Sequence, residues 1–325
     1  MVVVLMHRKS WLAIVRRLSM ETLIEVNGLA KSFGKQLVLK NVNFRVKKGE
    51  IIGLLGPNGA GKTTFIRLLN GVIKSDSGLV RVKGLDPAQN GDEIRKISGI
   101  VTESAGLYHQ LSGKENLEFF AGLYGVKDKG RVEGLLELFD LKEHQHKQAG
   151  KYSTGMRKRL ALAKALLHKP EILFLDEPTN GLDPDGIEQV LSYLKKYNEE
   201  TGTTIIICSH VLHQLEKICD SFAFIEQGTI AEQGTLAELE EKYVEVLTVN
   251  VNTTFQPAQG EFLGYPCRII SGNMVAFDLP SKHAIPELLQ GLLQTDPIFS
   301  VIPANNDLQS IYFQVRRKFN GIVHQ

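Results

Sequence analysis

Gly56-Pro57-Asn58-Gly59-Ala60-Gly61-Lys62-Thr63-Thr64 carries the spacing G-x-x-x-x-G-K-[ST] of a phosphate-binding loop. Directly before it, Ile51 to Leu55 is a short apolar run that suits a strand buried on both faces of a parallel sheet. A helical pattern begins at Lys62. Glycines let a backbone approach an anion and take conformations that a Cβ forbids. The N–H groups of such a turn, and of the helix that follows, then face the phosphates. Gly56, Asn58, Gly59, Gly61, Lys62, Thr63 and Thr64 are therefore the expected phosphate contacts. Lys62 supplies a charge for the β- and γ-phosphates, and Thr63 a hydroxyl for Mg2+.

Outward from this loop, Ile172-Leu173-Phe174-Leu175 is a second apolar strand that ends in Asp176-Glu177. Carboxylates at the C-terminal end of a strand lie where α/β proteins hold ligands. Asp176 is expected to hold Mg2+, and Glu177 to polarise the attacking water as general base. Thr204 to Cys208 is a third such strand, and helical patterns follow from about Pro184 and Val211. Alternating strands and helices imply an α/β domain with a mostly parallel sheet. Between loop and carboxylates, Tyr152-Ser153-Thr154-Gly155-Met156 runs into a helix that Ser153 can cap, leaving free N–H groups as a second anion site.

The 325 residues, 43% of them hydrophobic, suffice for one large domain and a small one. The net charge is +2, from 38 basic and 36 acidic residues, which argues against a protein that coats nucleic acid. Cys208, Cys219 and Cys267 form no zinc-ligand spacing, and reduced thiols are expected. No apolar run is long enough for a membrane-spanning helix. Residues 1–19 read as an extension, either disordered or due to a start upstream of Met20, with an interfacial amphipathic helix as a third reading. Strands are expected at Leu23 to Val26, Val38 to Val46, Ser221 to Ile225 and Thr229 to Ala231, and a helical lobe over about 104–165. The main domain then covers 20–243, and a small α+β domain covers 244–325.

Together these motifs resemble the ATP-binding cassette (ABC) subunits of transporters, over roughly Leu23 to Glu240. The resemblance implies an α/β P-loop ATPase domain with a mostly parallel sheet, an antiparallel β part and an inserted helical lobe. Tyr152 to Met156 is similar to the family's signature, usually leucine-serine-glycine-glycine-glutamine. Ser153 and Gly155, the phosphate-contacting pair, are retained and would meet ATP of a partner subunit. Asn180-Gly181-Leu182-Asp183 is similar to the loop that crosses the family's dimer interface, and His210 to the histidine that contacts the γ-phosphate. Phe33 stands where an aromatic ring stacks on adenine, and Glu103 where a Mg2+-binding glutamine is usual. The implied cofactors are ATP and Mg2+. The implied partners are a second ATPase subunit, identical or not, and a separate transmembrane permease docked near Ser112 to Leu141, with no nucleic acid. Such a protein lies in the cytoplasm, peripheral on the inner face of the cell membrane. The segment from Val244 resembles tails of subunits that serve separate exporter-type (ABC-2) permeases.

Three other functions compete. A non-transport cassette of translation or repair type usually brings two cassettes or long coiled coils, and neither is present. A module that holds ATP without turnover would not need Glu177 and His210. A small-molecule kinase gives Tyr152 to Met156 no role.

Overall fold

Strands buried on both faces need helices on either side, and this chain supplies them in turn. The computed structural model describes residues 21–102, 106–257 and 260–323; residues 1–19 of the expected extension, and Glu103, lie outside the described residues. The first half contains β1 (Thr22–Phe33), β2 (Gln36–Lys47), β3 (Ile51–Leu55), α1 (Lys62–Leu69), β4 (Ser77–Val82), α2 (Pro87–Lys96), β5 (Ser98–Val101), α3 (Gly113–Leu123), α4 (Arg131–Leu138) and α5 (Thr154–Leu166). Then come β6 (Ile172–Asp176), α6 (Pro184–Thr201), β7 (Thr204–Ser209), α7 (Leu212–Glu216), β8 (Ser221–Glu226) and β9 (Thr229–Gly234).

One sheet has the order β5-β6-β7-β3-β8-β9, and its first five strands pair in parallel. Every residue of β3, β6 and β7 is buried. The other sheet, β2-β1-β4, is antiparallel. The two sheets and α1 share one core, in which Phe44 of β2 meets Phe65 of α1 edge-on with ring centroids 5.1 Å apart. This is the α/β architecture with an antiparallel part that the sequence implied.

Some boundaries differ from expectation. The first strand does not stop at Val26 but runs on to Phe33. Gly28, with φ 64°, lets the strand shift register between Val26 and Leu29 instead of turning. β4, α2 and β5 have no counterpart in the pattern reading: β4 has an exposed first half, and α2 carries mostly polar residues.

In the helical lobe, a capping box formed by Ser112 and Glu115 starts α3. Buried Asn116 ties the preceding loop to it. Its Nδ2 donates to the carbonyls of Tyr108 (2.9 Å), Leu111 (3.3 Å) and Ser112 (2.9 Å), and its Oδ1 accepts from Tyr108 N (2.8 Å).

A second compact unit begins at Gly234, ahead of the expected 243/244 boundary. It comprises α8 (Leu236–Tyr243), β10 (Leu247–Thr253), β11 (Glu261–Phe262), β12 (Tyr265–Ser271), β13 (Met274–Leu279), α9 (Ile285–Leu292), β14 (Ile298–Pro303) and α10 (Leu308–Val323). The early boundary follows from contact between α8 and α10. Its sheet, β11-β12-β13-β10-β14, is antiparallel, and its core gathers Val249, Val251, Phe277 and Leu288. Among the described residues, no helix is long and apolar enough to cross a membrane.

Asn116→Leu fills the same space but strands buried backbone groups. It is expected to destabilise the chain by about 2–4 kcal/mol, read as a lower urea midpoint. An unchanged midpoint would show that these bonds are dispensable.

Candidate functional site

Parallel pairing of β6, β7 and β3 sets three strand ends side by side, with Asp176 opposite Cys208 and Leu55 opposite Ser209. The chain after each end therefore converges on one place. Asn58, Gly59 and Gly61 from the loop after β3, Lys62, Thr63 and Thr64 from the start of α1, Asp176 at the end of β6 with Glu177 just after it, and His210 just after β7 line one cavity of about 360 Å³. Val38 of β2 and Asn180 line it too.

The loop closes on itself through glycine. Gly61 caps α1 with φ 107°, where a Cβ would lie 2.7 Å from Leu39 Cδ2. Gly56 does not line the cavity: a Cβ there would sit 2.3 Å from the Ile225 carbonyl oxygen, so close packing on β8 requires this glycine. Buried Lys62 donates from Nζ to the carbonyls of Gly56 (2.7 Å) and Pro57 (3.2 Å). Thr63 Oγ1 donates to Asp176 Oδ2 at 2.6 Å. These two are hard oxygens of the kind that magnesium takes together with nucleotide phosphates, so the donor set fits that cation.

Glu177 holds the least ordinary conformation in the site. Its φ is +51°, and no other non-glycine residue that lines the cavity has a positive φ. Such a backbone costs on the order of 1–3 kcal/mol and persists only where its surroundings hold it. Glu177 N donates to Cys208 O at 2.9 Å, and Lys158 Nζ donates to Glu177 O at 3.1 Å. The carboxylate is largely buried. Its Oε1 lies 3.0 Å from His210 Nδ1, and among the described residues its Oε2 is buried without a hydrogen-bond partner. An ionised carboxylate only accepts, so Nδ1 is the donor in this contact and Nε2 takes no part in it. Beneath the site, burial pushes the Cys208 thiol well up, which keeps it an inert core residue.

The other expected residues lie outside this cavity. Ser153 caps α5 by accepting from Met156 N at 3.2 Å, and Gly155 follows in the first turn. Phe33 is half-exposed at the end of β1, with Lys31 Nζ 5.4 Å from its ring centroid. Two lining residues had weak signals in sequence. Val38 looks like any strand valine, and Asn180 was visible only as part of the loop after β6.

The fold and this cavity together define a phosphate-loop ATPase cassette. A family model described as ABC transporter matches residues 39–180. An uncharacterized ABC transporter ATP-binding protein of Bacillus subtilis (strain 168), YdbJ, is 34% identical over 90% of this chain and 95% of its own length. The bacitracin transport ATP-binding protein BcrA of Enterococcus faecalis is 41% identical over 70% of this chain and 74% of its own. A dimeric ATP-binding cassette, solved in a post-hydrolysis state with ADP and Pi, is similar with a TM-score of 0.60 at 26% identity, covering 65% of this chain and 98% of its own. The chain belongs to the ATP-binding subunits of ABC transporters.

Glu177→Gly relieves the left-handed backbone and removes the unpartnered oxygen. It is expected to raise the thermal midpoint of the nucleotide-free chain by the equivalent of about 1 kcal/mol. A midpoint at or below that of the unchanged chain would count against strain at this residue.

Proposed function

We propose that the chain hydrolyses ATP in composite sites shared with a second ATPase subunit, and that this cycle drives export through a separate membrane permease. The observation that carries the reading is the Glu177 carboxylate: one oxygen on His210, the other buried without a hydrogen-bond partner among the described residues, beside the Thr63–Asp176 pair. An acceptor so placed can take a proton from water while that water attacks the γ-phosphorus. The new bond joins the water oxygen to phosphorus, the bond to the β-phosphate oxygen breaks, and the proton goes to Glu177. His210 Nε2 is the group left to meet the γ-phosphate. Lys62 would exchange the carbonyls of Gly56 and Pro57 for phosphate oxygens. Thr63 and Asp176 would hold Mg2+, with Glu103 as a further ligand, and the ion would neutralise charge that develops on the phosphates. Phe33 would stack on adenine.

Ser153 and Gly155 do not line the cavity of Lys62, which supports a head-to-tail dimer in which they close on the partner's ATP. Binding across that interface favours the closed state by mass action, and loss of the γ-phosphate releases it. The helical lobe is the surface offered to the permease, and docking there would hold the chain at the cytoplasmic face of the membrane. Export follows from likeness to a bacitracin transport subunit and from the α+β unit after the cassette.

Lys62→Ala is expected to weaken ATP binding at least tenfold in titrations with a fluorescent nucleotide; unchanged affinity would overturn the role of the loop lysine. Glu177→Gln is expected to bind ATP, stop turnover and accumulate as a dimer. Captured from solubilised membranes with ATP, that variant should bring down a polytopic membrane protein. Ribosomes or repair proteins in its place would move the same chemistry to a soluble machine.

A further inference from the structure

Lys158 sits on α5, five positions after Ser153, and is buried with 5% of its surface exposed. Burying an ammonium is costly unless strong partners hold it. One partner is a main-chain carbonyl, that of Glu177, 3.1 Å from Nζ. This residue combines a left-handed backbone with the buried carboxylate of the site. Its N–H is fixed from the sheet by Cys208 O at 2.9 Å, and its C=O accepts from Lys158 Nζ at 3.1 Å and, at the longer distance of 3.4 Å, from Asn180 N. With both peptide groups held, the direction of the Cα–Cβ bond is set, and the carboxylate reaches His210 at 3.0 Å. If the shorter, charged anchor is removed, only the 3.4 Å bond from Asn180 N holds the carbonyl, and the left-handed conformation can relax toward an ordinary one and carry the carboxylate away.

We propose that Lys158 is a positioning residue of the hydrolytic centre, acting through the main chain of Glu177. The proposal rests on Glu177 as general base. The same helix presents Ser153 at its N-terminus, so one rigid element joins the segment that would meet the partner's ATP to the main chain that aims this subunit's own base. Displacement by about 1 Å can cost as much as 10²-fold in rate while leaving substrate affinity alone.

The test is steady-state ATP hydrolysis by the full chain carrying Lys158→Met, Lys158→Gln or Glu177→Gln. Methionine fills the space without a donor, and glutamine keeps an N–H donor of slightly shorter reach. Lys158→Met is expected to lower kcat at least tenfold, with KM for ATP within about twofold of the unchanged chain. Lys158→Gln is expected to recover a large part of that loss. A merely structural lysine would give a different pattern: kcat retained, or KM rising as kcat falls, or glutamine no better than methionine. Any of these results overturns the proposal. Should methionine not be accommodated, Lys158→Ala carries the same comparison, with nucleotide binding as the measure of folding. Glu177→Gln separates the two ideas. Turnover lost there but retained in Lys158→Met removes only the positioning role, whereas turnover retained in Glu177→Gln removes the base and the positioning role together.

Discussion

The parallel hydrogen bonding of β6, β7 and β3 is the constraint on which everything else depends. Parallel neighbours end at the same level, so chain segments far apart in sequence leave the sheet together. Register puts Asp176 beside Cys208 and Leu55 beside Ser209, and the residues that follow have little choice of direction. Shift β7 by one residue and every side chain would exchange one packed face for the other, because side chains alternate with a period of two. The site is thus secured by three strands whose residues are all buried. The geometry of the cavity is a consequence of core packing, which explains why polar side chains can converge at a loop-lined edge without loops being rigid in themselves.

On that frame, Glu177 concentrates the unfavourable contributions of the site: left-handed backbone, burial, and an oxygen without a partner among the described residues. Cys208, Lys158 and His210 hold it from three directions. A residue tuned only for stability would relax each of these features, as glycine does at Gly59 and Gly61, where positive φ carries no such penalty. Stability given up at one residue and recovered in the surrounding core is the usual pattern where geometry serves chemistry.

How much was legible in the sequence follows from where each signal resides. The loop from Gly56 to Thr64, the strand into Asp176-Glu177 and the strand before His210 are local patterns, and all converge on the cavity. Val38 and Lys158 are tertiary contributions: one lies on a strand of the antiparallel sheet, the other on a helix two residues beyond Met156, and each takes its place through packing and not through a local pattern. β1 was cut short because Asn27-Gly28 reads as a turn, whereas pairing with both β2 and β4 carries the strand through a bulge. The second unit begins at Gly234, earlier than residue 244, because α8 follows β9 directly in sequence but packs with α10. Local chemistry can be read from a chain, while the choice of neighbour for an ambiguous segment is made by the fold.

The segment Tyr152 to Met156 shows how such a choice can preserve a local structure. Three of its five residues differ from the usual leucine-serine-glycine-glycine-glutamine, and two of the replacements are matched by a glycine elsewhere. Tyr152 is bulkier than leucine, yet it is buried, and its hydroxyl donates to His144 O at 2.8 Å. Room for it exists because residue 113 is glycine: a Cβ there would lie 2.1 Å from the Tyr152 hydroxyl. Thr154 replaces a glycine, and its Cγ2 would be 2.6 Å from a Cβ at Gly181, whose φ of 81° favours glycine in any case. Both enlargements are therefore absorbed by residues outside the segment. Ser153 keeps its cap and Gly155 its place in the first turn of α5. Departure from a motif consequently says little about local structure by itself: the capped start of α5 is kept here by distributing the adjustment between the helical lobe and the loop after β6.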